Sequence, residues 1–168
     1  MEYEVFKVLQ QELDIDDVQA CTTAYKKLFW SRYDTDFHCI SGMHELVANL
    51  QIPASVVSNS NINYLQKSVT KVGLLTSFEQ LFSAQMVERP KPSPDLYNYA
   101  AAQLELDRGT SIVVEDSPTG VKAAKEAGFE VIGFLGAGHI FDGHHDLLMD
   151  NGADFIARNA QELRAILN

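Results

Sequence analysis

The chain has 168 residues, which suits one domain with a sizeable core. Its formal net charge of −10 argues against a general nucleic-acid binder, which needs a basic footprint, but leaves room for a small anionic substrate held locally. An apolar fraction of 46% and a charged fraction of 21% are ordinary for a soluble globular protein, and no apolar run approaches the length of a membrane span.

The N-terminal segment MEYEVFKVLQQELDIDD is acidic and amphipathic and has no basic region ahead of an apolar one, so it does not read as a signal peptide. The expected compartment is the cytosol. Cys21 and Cys39 lack a CxxC spacing and read as reduced thiols. Val5, Val8, Leu9 and Leu13 follow the helical period, as do Val18, Cys21, Tyr25, Leu28 and Phe29. A third helix is expected from about Met43 to Leu50, with Ser41 as its N-cap.

From Pro53 onward strands alternate with helices. Ala54–Val57 is a short apolar run that leads through Ser58-Asn59-Ser60-Asn61 into a helix ending near Val72. A weaker strand is expected over Leu81–Met86. Ser93 and Pro94 mark a helix start, with the helix running to about Leu104. Ile112-Val113-Val114 is a buried-type strand closed by Glu115-Asp116. Helix over Val121–Ala127, strand over Val131–Phe134, helix over Leu147–Asn151, strand at Phe155-Ile156 and helix over Gln161–Leu167 complete the chain. This alternation indicates an α/β fold, a Rossmann-like parallel sheet wound on both faces. Such sheets place their chemistry at the carboxyl ends of the strands.

Three polar clusters stand at those ends. Ser58-Asn59-Ser60 offers a hydroxyl and free amides at a helix start, which suits an anion and equally suits capping. Lys91 lies between Pro90 and Pro92, positioned to neutralise a phosphate oxygen unless it is simply a solvated lysine. Glu115 and Asp116 end a buried strand, where two adjacent carboxylates repel. A hard divalent cation relieves that repulsion, and helix capping is the plainer alternative.

In order and spacing, these clusters resemble the haloacid dehalogenase superfamily, in the helical-cap branch with phosphoglycolate phosphatases and β-phosphoglucomutase. VVSNS, RPKPSPDLY and VVEDSPTGVKAAKEAGF look like its second, third and fourth motifs, and CISGMHELVANL like the segment that re-enters the core from the cap. The resemblance implies a partial helical cap over residues 1–40 and an α/β core over 41–168. It also implies magnesium as cofactor and a small phosphorylated metabolite as substrate. Ser58 and the Asn59 amide would bind the phosphoryl group, and Lys91 would pair with phosphate and nucleophile. Asp116 would bind the metal directly, Glu115 directly or through a water, with Ser117 in support.

The family's first motif, a strand ending in a DxDG-type loop whose first Asp attacks phosphorus, has no counterpart here. Asp14-Ile15-Asp16 and Asp34-Thr35-Asp36 share its spacing, but neither follows an apolar strand and both lack the Gly. The expectation is therefore a chain truncated with respect to its nucleophile and inactive by itself, with a gap in mid-sheet. The two flanking strands could close that gap themselves, or a second copy or a strand-donating partner could fill it. A non-catalytic phosphate- and metal-binding relic and a phosphomutase fragment are the competing readings. A phosphorelay receiver domain has its acids, hydroxyl and lysine in a different order. Gly136-Ala137-Gly138 lacks a full nucleotide-loop spacing. His139, His144 and His145 read as an exposed loop, and the aromatics around Trp30 as core or interface.

Overall fold

The computed structural model describes residues 17–36 and 39–167. The chain divides into two compact units, Met1–His38 and Cys39–Asn168. The expected Val5–Leu13 helix and the Asp14-Ile15-Asp16 acids lie outside the described residues.

In the first unit, α1 (Val18–Asp36) is a 19-residue helix. The Asp17 carboxylate caps it, accepting from the Ala20 amide at 2.9 Å. Helical spacing stacks Tyr25 on Phe29 with ring centroids 6.1 Å apart, and Phe29 meets Trp30 edge-on at 5.3 Å. Asp34-Thr35-Asp36 is the last turn of this helix, not the end of a strand.

Among its described residues the second unit holds five strands and six α-helices. The strands are β1 (Val56–Ser58), β2 (Leu81–Ser83), β3 (Ile112–Glu115), β4 (Glu130–Phe134) and β5 (Phe155–Ala157). The helices are α2 (Met43–Ala48), α3 (Ile62–Lys71), α4 (Asp95–Gln103), α5 (Pro118–Glu126), α6 (His144–Asp150) and α7 (Ala160–Leu167). Every strand pair is parallel, as the alternation of strand and helix requires.

β1 and β2 form one sheet, with Ser58 opposite Ser83. β3, β4 and β5 form another in that order, with Glu115 opposite Gly133. Among the described residues β1 and β3 do not pair with each other, and each has a strand neighbour on one side only.

β4 is the best covered strand because its side chains alternate between two helical layers. Val131 packs with Val121 and Ala124 of α5 and Leu148 of α6, whereas Ile132 and Phe134 pack with Leu46 of α2 and Leu163 of α7. β1 and β2 are covered by Leu65 and Val69 of α3 on one side and by Leu96 and Ala100 of α4 on the other. Ile132, Leu148 and Leu163 are 0%, 0% and 1% exposed, and each contributes roughly 1.5–3 kcal/mol through burial. On the one-sided strand β3, Val114 remains 39% exposed.

Several boundaries differ from the sequence-based expectation for local reasons. The expected Leu81–Met86 strand stops at Ser83, whose hydroxyl accepts from the Gln85 amide at 3.3 Å and turns the chain into a single 3-10 turn. α2 is entered through Gly42 at φ 75°, not capped by Ser41. A Cβ on Gly42 would lie 2.9 Å from that of Ala160, so glycine satisfies both the left-handed turn and the close approach to α7. α6 begins three residues before Leu147, because Gly143 turns the chain at φ 87° into the polar run His144-His145-Asp146. Among the described residues no helix is long and apolar enough to cross a membrane.

Candidate active site

The site lies at the carboxyl ends of β1 and β3, where Ser58, Asn59, Lys91, Glu115 and Asp116 come together. Each of the three loops is fixed by its own local chemistry. After β1, Asn61 caps α3 by accepting from the Asn63 amide at 2.9 Å. Ser58 is therefore free of the capping role, and its hydroxyl instead accepts from the Ser60 amide at 3.1 Å. The Asn59 side chain clasps the backbone of Lys91, donating to its carbonyl at 3.0 Å and accepting from its amide at 3.1 Å. That clasp joins the first cluster to the second. Ser83 supports it from β2, donating to the Ser60 carbonyl at 2.7 Å while fully buried.

Lys91 is not a solvated lysine. It is 8% exposed, and its peptide bond to Pro92 is cis. The ammonium donates to the Val57 carbonyl at 2.9 Å, to the Tyr97 hydroxyl at 3.0 Å and to Oε1 of Glu115. One lysine thus ties the backbone of β1 to the last side chain of β3.

Glu115 is 8% exposed and fully engaged. Its Oε1 accepts from Lys91 and from the Tyr97 hydroxyl at 2.6 Å, and its Oε2 accepts from Ser117 at 3.2 Å. The carboxylate lies against the first turn of α5. A Cβ on Gly120 would fall 2.0 Å from Oε2, so only glycine fits there. Ser117 caps α5 by accepting from the Gly120 amide at 3.1 Å, which leaves neither acid in a capping role.

Asp116 differs. Among the described residues its carboxylate has no side-chain hydrogen bond or ion pair. Burial raises its pKa and the neighbouring Glu115 charge adds to the rise, while His139 and Lys91 oppose it. Its main-chain carbonyl accepts from Nε2 of His144 at 2.8 Å.

Sequence reasoning passed over two residues here. Tyr97 is 4% exposed and sits between Lys91 and Glu115. Burial pushes its phenol pKa far above the ordinary value, with the Glu115 charge adding to it, so Tyr97 remains a donor at neutral pH. The available signal was a tyrosine early in an apolar helix, since a buried hydroxyl needs a partner. His144 is the second. It is 3% exposed, which corrects the reading of its loop as wholly exposed, whereas His139 and His145 are exposed.

Among the described residues no cluster of three His, Cys, Asp or Glu side chains could hold a metal unaided. One unpartnered, partly buried carboxylate does fit magnesium, which takes one or two carboxylates and fills its shell with waters and phosphate oxygens.

The model of the haloacid dehalogenase-like hydrolases matches residues 2–134. Validoxylamine A 7'-phosphate phosphatase from Streptomyces hygroscopicus subsp. limoneus is 31% identical over 128 residues, which cover 74% of this chain but only 57% of that protein. The crystal structure of a haloacid dehalogenase-like protein of unknown function from Agrobacterium tumefaciens superposes with a TM-score of 0.85 at 33% identity, over 98% of this chain and 75% of that one. A family hydrolase from Deinococcus radiodurans, with bound phosphate and sodium, superposes with a TM-score of 0.78 at 30% identity, over 97% and 73%. The match to the family model and the shared fold agree: this chain belongs to the haloacid dehalogenase-like hydrolase family.

Proposed function

We propose that this chain forms the phosphate- and magnesium-binding side of a phosphatase site that acts on a small phosphorylated metabolite through an aspartyl-phosphate. The observation that carries the reading is the pairing of a buried, neutralised Lys91–Glu115 unit with an unpartnered Asp116 on the next residue. Ser58 and the Asn59 amide bind the phosphoryl oxygens, and Lys91 offsets their charge. Asp116 is the direct ligand of magnesium, and Glu115, whose oxygens are already engaged, acts through a water. Magnesium, when bound, supplies charge neutralisation and orientation of the phosphoryl group. The phosphorylated substrate named for the Streptomyces relative and the phosphate bound to the Deinococcus structure support this class of ligand.

The carboxylate nucleophile belongs on a strand seated between β1 and β3. Support for that strand comes from the one-sided pairing of both neighbours and the 39% exposure of Val114. We propose that this polypeptide by itself binds phosphate without turning over phosphomonoesters, and that a strand-donating partner supplies the nucleophile; a second copy of this chain, which lacks the motif, could fill the gap but not provide that carboxylate. The helix α1 is proposed as part of a cap.

Calorimetry with inorganic phosphate and Mg2+, beside an assay on p-nitrophenyl phosphate, tests both parts. Binding that Asp116→Asn abolishes, without turnover, is the expected result. Absence of binding in the wild type would sink the site, and Mg2+-dependent turnover lost in Asp116→Asn would sink the need for a donated strand.

A further inference from the structure

Among the described residues, one side chain holds the backbone of Asp116, and it comes from outside the three clusters. His144, the first residue of α6, places Nε2 2.8 Å from the Asp116 carbonyl. A carbonyl oxygen only accepts, so Nε2 carries the hydrogen and the tautomer follows. The ring is 3% exposed and held edge-on by Phe141 at 5.0 Å and His139 at 5.7 Å between centroids. Nδ1 is buried and finds no hydrogen-bond partner among the described residues. An apolar ring would fill this space without burying an orphaned nitrogen, so packing alone does not account for a histidine here.

The position of Asp116 in the chain supplies the reason. It is the single residue between the end of β3 and Ser117, the N-cap of α5. The register of Glu115 with Gly133 fixes the backbone before it, and the Ser117 cap fixes the backbone after it. What remains free is the tilt of the Asp116–Ser117 peptide, which is coupled to the direction of the Asp116 side chain. The bond from His144 removes that freedom. We infer that His144 is a positioning residue that aims the Asp116 carboxylate into the site by holding its main-chain carbonyl. The inference rests on Asp116 being the metal carboxylate. It ties metal binding to the loop over residues 136–143 and to α6, which carry no ligand themselves.

The test compares His144→Gln, which keeps an N–H at the length of Nε2, with His144→Phe, which keeps the ring and loses the donor. Isothermal titration of Mg2+ in the presence of inorganic phosphate is read on the full chain and both variants, with Asp116→Asn as reference and thermal melts run without metal. The expected result is a loss of Mg2+ affinity of about 10–100-fold in His144→Phe, in the range of lost outer-shell partners. His144→Gln should retain most of the affinity, although a packing role would favour Phe, and His144→Phe should melt no lower than His144→Gln. Wild-type affinity in His144→Phe, or an equal loss in both variants, overturns the inference. If the Phe variant does not fold, His144→Leu takes its place in the same comparison. A wild-type chain that does not bind Mg2+ overturns the metal reading itself, and the inference with it.

Discussion

Glu115 and Asp116 are neighbours in sequence and opposites in environment. Glu115 is turned inward, and Lys91, Tyr97 and Ser117 occupy both of its oxygens. Asp116, the next residue, has no such side-chain partner among the described residues, and burial raises its pKa. The same residue chemistry thus serves two ends. One carboxylate completes an internal electrostatic unit, and the other stands without a side-chain partner among the described residues. The repulsion read from the sequence as a reason for a cation is, in the fold, divided unequally between the two acids.

The comparison is easiest to break at its buried end. Lys91→Met should destabilise the chain by about 3–5 kcal/mol, because it strands the Glu115 charge in the interior. Urea unfolding measures it, and Lys91→Met with Glu115→Leu should recover most of the loss. A cost near that of an exposed pair would mean that Glu115 is not held as described.

Gly120→Ala probes the same carboxylate without removing a charge. The new methyl group would overlap Oε2, so a loss of about 1–3 kcal/mol is expected in the same unfolding experiment. Unchanged stability would show that the acid has room to move.

The smallest effect belongs to a control pair at the surface. Lys125 donates to Asp154 at 2.7 Å, and the Val131 amide donates to the same carboxylate at 2.8 Å. Burial raises the Asp154 pKa, but Lys125 and the Val131 amide outweigh it and the net value is lowered. A lowered folded pKa gives stability that is present above the ordinary carboxylate range and lost as pH falls through the folded value. Asp154→Asn should therefore lower stability at neutral pH by about 1 kcal/mol or less. The difference should vanish in acid, and a difference that persists there would show that charge is not its source.

Much of this was legible in the sequence because it depended on order and period. Strand–helix alternation gave the parallel sheets, and Ser58, Lys91 and Glu115-Asp116 stood at strand ends. Boundaries set by backbone geometry were harder to read. Gly42 and Gly143 start helices through left-handed turns, which hydrophobic periodicity does not record. Tyr97 and His144 were hidden for another reason. Each acts through a contact 18 or 28 residues away in the chain, with Glu115 and Asp116 respectively, and the local pattern names the partner of neither.

The lysine at the centre of the site has a consequence for how it must bind. An ammonium has three N–H bonds, and all three of Lys91 are already directed at protein oxygens. On the proposed reading, a phosphate oxygen would reach it only by substitution, taking the place of the Val57 carbonyl, the Tyr97 hydroxyl or Glu115. Occupancy is then decided by an exchange between acceptors of similar kind, which favours a ligand of dense charge over a monovalent anion. It also makes the arrival of a ligand a mechanical event, since releasing Val57 loosens the link that the lysine makes between the two sheets.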